Sequence, residues 1–176
     1  HSNDNFTDIQ ANWNPDSELT GTLSDYGFNS PLKMALSSDH FWVIDSGNYR
    51  ILRYSNSGNY AKQVIGQPDF LHNYTGRLEP HSLTSPYDIS IHQIDGVKNA
   101  LIADTHTHRV LVFGSLKDYQ TGDAPSKVFG QNSAEDYWPN RNNDIGAGGL
   151  NSPISVSADP VTGKIAIADY SNQRIV

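Results

Sequence analysis

The sequence predicts an all-β protein built from a repeated unit, and three observations carry that prediction. The stretch DSGNYRILRY at 45–54 returns as DTHTHRVLVF at 104–113 and, shortened, as DYSNQRIV at 169–176. An Asp stands five positions before an Arg in every copy: Asp45 and Arg50, Asp104 and Arg109, Asp169 and Arg174. Self-similarity at a spacing of roughly 60 residues is the signature of a repeat architecture. Next, Pro31, Pro86 and Pro153 each open a segment whose apolar residues fall three and five places later, the period of a strand with one consistent face. Finally, the chain is 36% hydrophobic and holds 14 Gly and 9 Pro, a composition suited to many turns and few helices.

Taken in order, residues 1–30 are polar and do not alternate, which predicts an N-terminal connector. Residues 31–66 form the first unit, 67–85 a connector, 86–130 the second unit, 131–152 a connector, and 153–176 a third unit that is incomplete, all within one domain. Each unit opens on Pro, which costs least at the first position of a strand. The apolar pairs that follow are Met34 and Leu36, Ile89 and Ile91, Val156 and Ala158. The second strands, Phe41–Ile44, Ala100–Ala103 and Ile165–Ala168, are apolar on both faces, as expected of strands sandwiched between two other sheets. The Asp…Arg element supplies a tight turn and a third strand. Its Asp is expected to cap amides of that turn, and Gly47-Asn48 to provide its positive-φ pair. Fourth strands at Lys62–Ile65 and Ser126–Phe129 each end on Gly-Gln, Gly66-Gln67 and Gly130-Gln131. Four short antiparallel strands repeated radially describe a β-propeller.

The net charge of −7 and pI near 5.3 argue against unassisted binding to a phosphate backbone, so no nucleic-acid partner is expected. With no Cys, neither disulfides nor thiolate metal sites can form. No apolar run approaches the roughly 20 residues of a membrane-spanning helix. The chain begins at His1 rather than Met. That start, with sequons at Asn5 and Asn73, predicts a processed, secreted protein, extracellular or periplasmic and open to glycosylation.

The motifs Pro-x-x-apolar, apolar-Ala-Asp, Asn-x-Arg-Ile and a closing Ile-Gly or Phe-Gly strand resemble those of the NHL-repeat propeller family. The resemblance covers about 28–66, 83–131 and 150–176. The family's Asn before Arg is matched by Asn48 and, displaced, by Asn172, while the second copy has His106 and His108 around Thr107. What the resemblance implies is a six-bladed ring of which this chain is a window, or a half completed by a partner chain, since three blades fall short of the usual four to eight. It also brings a catalytic precedent, lyases with zinc on histidines near the axis. No matching His triad can be placed here.

Candidate chemistry falls in three groups. His106 and His108 flank Thr107 in a turn and are the candidate ligands for a divalent metal, the one cofactor weighed. The repeated Asp and Arg residues read as structural braces rather than catalytic groups, because a catalytic site needs one asymmetric constellation, not three copies. The connectors, longer than ordinary loops, gather Trp13, Phe70, His72, Tyr74, His81, Tyr137 and Trp138 among Asn, Asp and Pro, a composition suited to stacking on sugars or gripping a peptide. The expected function is therefore non-catalytic binding or assembly, with a protein or glycan as partner. The rivals are a metal-dependent lyase or hydrolase on the propeller axis, an RNA-binding propeller, and a structural subunit whose strand edges join neighbouring chains.

Overall fold

A computed structural model describes residues 27–56, 60–74, 78–94, 96–143, 145–146 and 148–176. It is all-β, with three antiparallel sheets in chain order. Strands β1 (Pro31–Leu36), β2 (His40–Asp45), β3 (Arg50–Ser55) and β4 (Ala61–Ile65) form the first sheet in that order. Strands β5 (Pro86–Ile94), β6 (Val97–Asp104), β7 (Arg109–Phe113) and β8 (Lys127–Phe129) form the second. Strands β9 (Pro153–Ala158), β10 (Ile165–Asp169) and β11 (Arg174–Ile175) form the third. Each sheet is a meander, and every first strand begins on its Pro, where the absent N–H leaves no ladder bond unmade.

The sheets stack face to face through side chains of alternating direction. Trp42, Ile44, Ile51 and Ile65 of the first sheet meet Ile89, Ala100, Ile102, Leu111 and Phe113 of the second in one core. The other face of the second sheet sends Leu101, Ala103, Val110 and Val112 against Val156 and Ile167 of the third. The second sheet is thus apolar on both faces because it is covered on both. A buried leucine three places before Pro86 and before Pro153 closes the gap between sheets, Leu83 in the first core and Leu150 in the second. At full burial each such side chain is worth about 1.5–3 kcal/mol.

The segment joining β7 to β8 crosses to the first sheet. Tyr119 is buried, lies edge-on to Phe113, and donates its hydroxyl to the Val64 carbonyl at 3.1 Å. The Val64 amide in turn donates to Thr121 Oγ1 at 3.3 Å, and Gln63 Nε2 donates to the Tyr119 carbonyl at 2.5 Å. The outer edge of β4 is therefore covered by the second unit at Val64, whose amide and carbonyl would otherwise stand open to pairing.

The Asp…Arg turns differ from the expected hairpin. Each is one turn of 3-10 helix (Ser46–Asn48, Thr105–Thr107, Tyr170–Asn172) closed by a residue in the left-handed region. That residue is Tyr49, His108 or Gln173, with φ of 56°, 54° and 52°, so the positive φ does not fall on Gly47-Asn48. The left-handed residue lets its amide reach back, Tyr49 N–H to the Ser46 carbonyl at 3.0 Å and His108 N–H to that of Thr105 at 3.1 Å. Gly47 serves close approach instead: a Cβ there would lie 2.6 Å from the Asn29 side chain.

Candidate functional site

The repeated Asp is the hub from which the connectors are fixed. It does not cap its own turn. Its Oδ1 accepts an amide two places before the unit's opening Pro, from Asn29 to Asp45 at 2.6 Å, Thr84 to Asp104 at 3.0 Å and Asn151 to Asp169 at 2.7 Å. Its Oδ2 accepts from the side chain three places on: Asn48 at 2.9 Å, Thr107 at 2.7 Å, Asn172 at 2.8 Å. Asn172 is therefore not displaced, and Thr107 fills the Asn position of the second copy. Arg50 Nε reaches the same Asp45 oxygen at 2.7 Å, Arg109 Nη2 reaches Asp104 at 2.8 Å and Arg174 Nε reaches Asp169 at 2.7 Å.

The guanidinium spends its remaining donors on connector carbonyls. Arg50 donates to Phe70 at 2.6 Å and Gly27 at 2.7 Å. Arg109 donates to Ser82 at 2.8 Å and to Ala134. Arg174 holds Gly149 at 2.6 Å and Ile145 at 3.0 Å. Such charge-assisted, multidentate bonds suit the planar fork of Arg and not the point charge of Lys. Arg50, Arg109, Asp45 and Asp104 are fully buried, closed off from any ligand; Asp169 is also buried, while Arg174 is partly exposed.

A second anchor went unread in the sequence beyond its Gly-Gln strand ending. Buried Gln67 donates to the carbonyls of Tyr49 and Tyr74, both at 3.2 Å, and accepts the Tyr74 amide at 3.0 Å. Gln131 donates to Trp138 at 2.7 Å and to His108 at 3.3 Å. Gly66 and Gly130 make room for this return, with φ of 97° and 90° and parallel bridges to Ser82 and Gly149. The signal was present: the aromatic residue stands seven places after the Gln in both copies.

These anchors hold the backbone of Tyr74 and Trp138 while their rings stay open, 62% and 54% exposed. Tyr137 stacks on Trp138 with ring centres 4.9 Å apart, and Tyr74 leans on His72 at 4.7 Å. His72 Nδ1 is 2.5 Å from Asp69 Oδ1. Phe70 differs from the other connector aromatics: it is half-buried against the core of the first sheet formed by Val43, Leu52 and Val64. His81 is half-buried beside the buried Ser82, and Asn73 is exposed. Trp13 and Asn5 lie outside the described residues.

His106 is exposed, and His108 is half-buried with its Nδ1 accepting the Ser152 amide at 3.0 Å. Burial first, then the neighbouring His106, lower the pKa of His108, so its imidazole is held neutral. Among the described residues no group of three or more His, Asp or Glu is arranged to hold a metal.

Another polar link joins the first strands. Asp88 on β5 is buried, accepting Lys33 Nζ from β1 and, from β9, Ser155 Oγ at 2.7 Å and the Val156 amide at 2.9 Å. Lys33, Asp88 and Ser155 each stand two places after their Pro, so one register position ties the three sheets.

No family model matches the chain and no curated protein is similar to it. Among 35 solved chains that match is the crystal structure of an auxiliary nutrient binding protein from Bacteroides ovatus. The two superpose with a TM-score of 0.52 at 16% identity, over 78% of this chain. The chain spans about a third of the length of that protein, 34%. At this identity the likeness concerns the fold. No helix among the described residues is long and apolar enough to cross a membrane.

Proposed function

We propose that this chain is part of an NHL-type β-propeller and acts as an exported, non-catalytic binding module. It takes a glycan or protein on the edge built by its connectors. The observation that carries the reading is the pairing of buried anchor with open ring: Gln67 with Tyr74, and Gln131 with Trp138. Backbone fixed from below and an aromatic face left to solvent make a stacking platform that loses little entropy on binding. The nutrient-binding role in the name of the Bacteroides ovatus protein supports a binding reading. The test is a glycan array followed by calorimetry on the best hit. Loss of one stacked ring costs about 1.4 kcal/mol, so Trp138→Ala should weaken binding roughly tenfold. Unchanged affinity in Trp138→Ala and Tyr137→Ala would refute the platform.

A second reading, completion of the ring by further like units, rests on exposure at equivalent positions. Met34 is 54% exposed where its counterparts Ile89 and Val156 are 2% and 3%. Ile175 is 70% exposed where Ile51 and Val110 are fully buried. Both are positions that a neighbouring sheet covers inside the stack. Sedimentation together with the intact mass of the natural protein tests it; a monomer of 19.4 kDa would rule it out.

A further inference from the structure

Both connectors carry an arginine outside the Asp…Arg braces. Arg141 stands three places past Trp138 and Arg77 three places past Tyr74, so each connector reads Gln-x6-aromatic-x2-Arg. Arg77 lies outside the described residues. Around Arg141 three successive residues, Asn140, Arg141 and Asn142, take the left-handed conformation, with φ of 51°, 49° and 65°. Asn tolerates that region and Arg has no such preference, so its neighbours hold it there. Buried Asn140 donates its amide to the Leu150 carbonyl at 2.8 Å and exchanges side-chain bonds with Asn172 at 2.7 and 3.3 Å. The Asn142 amide donates to the Pro139 carbonyl at 3.1 Å. Backbone strain maintained in this way clusters at ligand sites.

The Arg141 side chain is half-buried and its charge is unmatched. Its Nε–H is buried without an acceptor, and neither a hydrogen bond nor an ion pair holds Nη1 or Nη2 among the described residues. Unlike Nε, those two nitrogens are not closed off from solvent. Gly148 seats the guanidinium by its face. A Cβ on Gly148 would lie 2.8 Å from Cζ, between its distances of 2.5 Å to Nη1 and 3.1 Å to Nη2. A contact at the Nη1/Nη2 edge would put Cζ farthest of the three. That edge is left clear, and it can donate two parallel N–H bonds to an anion. Arg174 reaches the same loop at the carbonyls of Ile145, Gly146 and Gly149, but its charge is met by Asp169.

We propose that the connector edge takes an acidic glycan, a sugar ring stacking on Tyr137 and Trp138 while a uronate carboxylate sits on the Nη1/Nη2 edge of Arg141. This rests on the connector reading and narrows its ligand. Three residues of chain span at most about 10 Å, so the stacked ring and the acid belong to the same sugar or to linked neighbours. Glu135 and Asp136 precede the aromatic pair in the same connector, so a dense polyanion is repelled and a chain of spaced acids is favoured.

The test is an array of oligogalacturonate, alginate and hyaluronan oligosaccharides beside their methyl esters, with neutral glycans, heparin fragments and a polyglutamate peptide, then calorimetry on the best acid and its ester. The acid is expected to bind at least tenfold tighter than the ester. Arg141→Gln should bring the acid down to the level of the ester, and Arg141→Lys should keep part of the preference without the fork. Trp138→Ala should weaken acid and ester alike and keep their ratio. Equal binding of acid and ester, or an intact preference in Arg141→Gln, would overturn the site. Binding confined to neutral glycans would overturn it and spare the platform, whereas no glycan bound at all would sink both. Heparin or polyglutamate binding as tightly as the best uronate would overturn the glycan assignment. Should Arg141→Gln fail to fold by circular dichroism, Gly148→Ala serves instead. Its backbone lies outside the left-handed region, and its Cβ must displace the guanidinium and level acid with ester.

Discussion

Replacing Arg109 by Ala removes the centre of the second brace and leaves Asp104 buried without its counter-charge. The other bonds to Asp104 survive, from the amides of Thr84 and Ser85 and from the hydroxyls of Thr84 and Thr107. Breaking a buried ion pair by deleting one partner costs about 3–5 kcal/mol. A chain of this size shifts by about 2–4 °C per kcal/mol, so the melting temperature should fall by about 6–20 °C. Arg174→Ala, whose side chain is 26% exposed, should cost only about 1 kcal/mol because water screens the pair and solvates its partners. The double variant Asp104→Asn/Arg109→Met should be less destabilised than Arg109→Ala, since no isolated charge remains buried. Thermal melts by circular dichroism decide it. A shift below about 2 °C for Arg109→Ala, on the same scale, would refute the brace.

Gly130→Ala should cost about 3 kcal/mol, because its Cβ would lie 2.6 Å from the His108 carbonyl oxygen at a φ of 90°. Gly122→Ala, at φ 94° in open space, should cost only about 1 kcal/mol, and urea melts of the pair isolate the close approach. Gln131→Ala should speed amide exchange at 132–140 by about 5–30-fold, the equivalent of one or two kcal/mol of lost anchoring, with the strands unaffected. His108 sets a pH dependence: with its folded pKa lowered, the unfolded chain takes up the proton first as pH falls below about 6.5. The His108 contribution is therefore neutral above that pH and destabilising below it. His108→Asn, which tolerates the left-handed backbone, should flatten the slope of unfolding free energy between pH 7.5 and 5.5; an equal slope would dismiss the assignment.

Local pattern carried the strands and long-range geometry carried the site, and the residues show where one stops. Pro31, Pro86 and Pro153 mark strand starts because the missing N–H acts at that residue alone. The alternation Ile89-x-Ile91 marks a face because the pleat has period two. The left-handed Tyr49, His108 and Gln173 gave no such signal. A non-Gly residue is held there by a reaching amide against an intrinsic cost of about 1–2 kcal/mol, which composition does not reveal. Asp45 was misread as a local cap because its amide partner, Asn29, lies sixteen residues upstream. The aromatic connectors were visible as composition, yet only the structure separates the half-buried Phe70 from the open Trp138.

The Tyr119 arm has a consequence for biogenesis. The open side of β4 is closed by a tyrosine that lies 55 residues later in the chain. At a synthesis rate of about 5–20 residues per second, the first unit emerges roughly 3–11 s before its seal. During that interval a nascent chain presents a pairable strand to its neighbours on the same message. Crowding of translating ribosomes, rather than instability of the finished sheets, then becomes the hazard in making this protein.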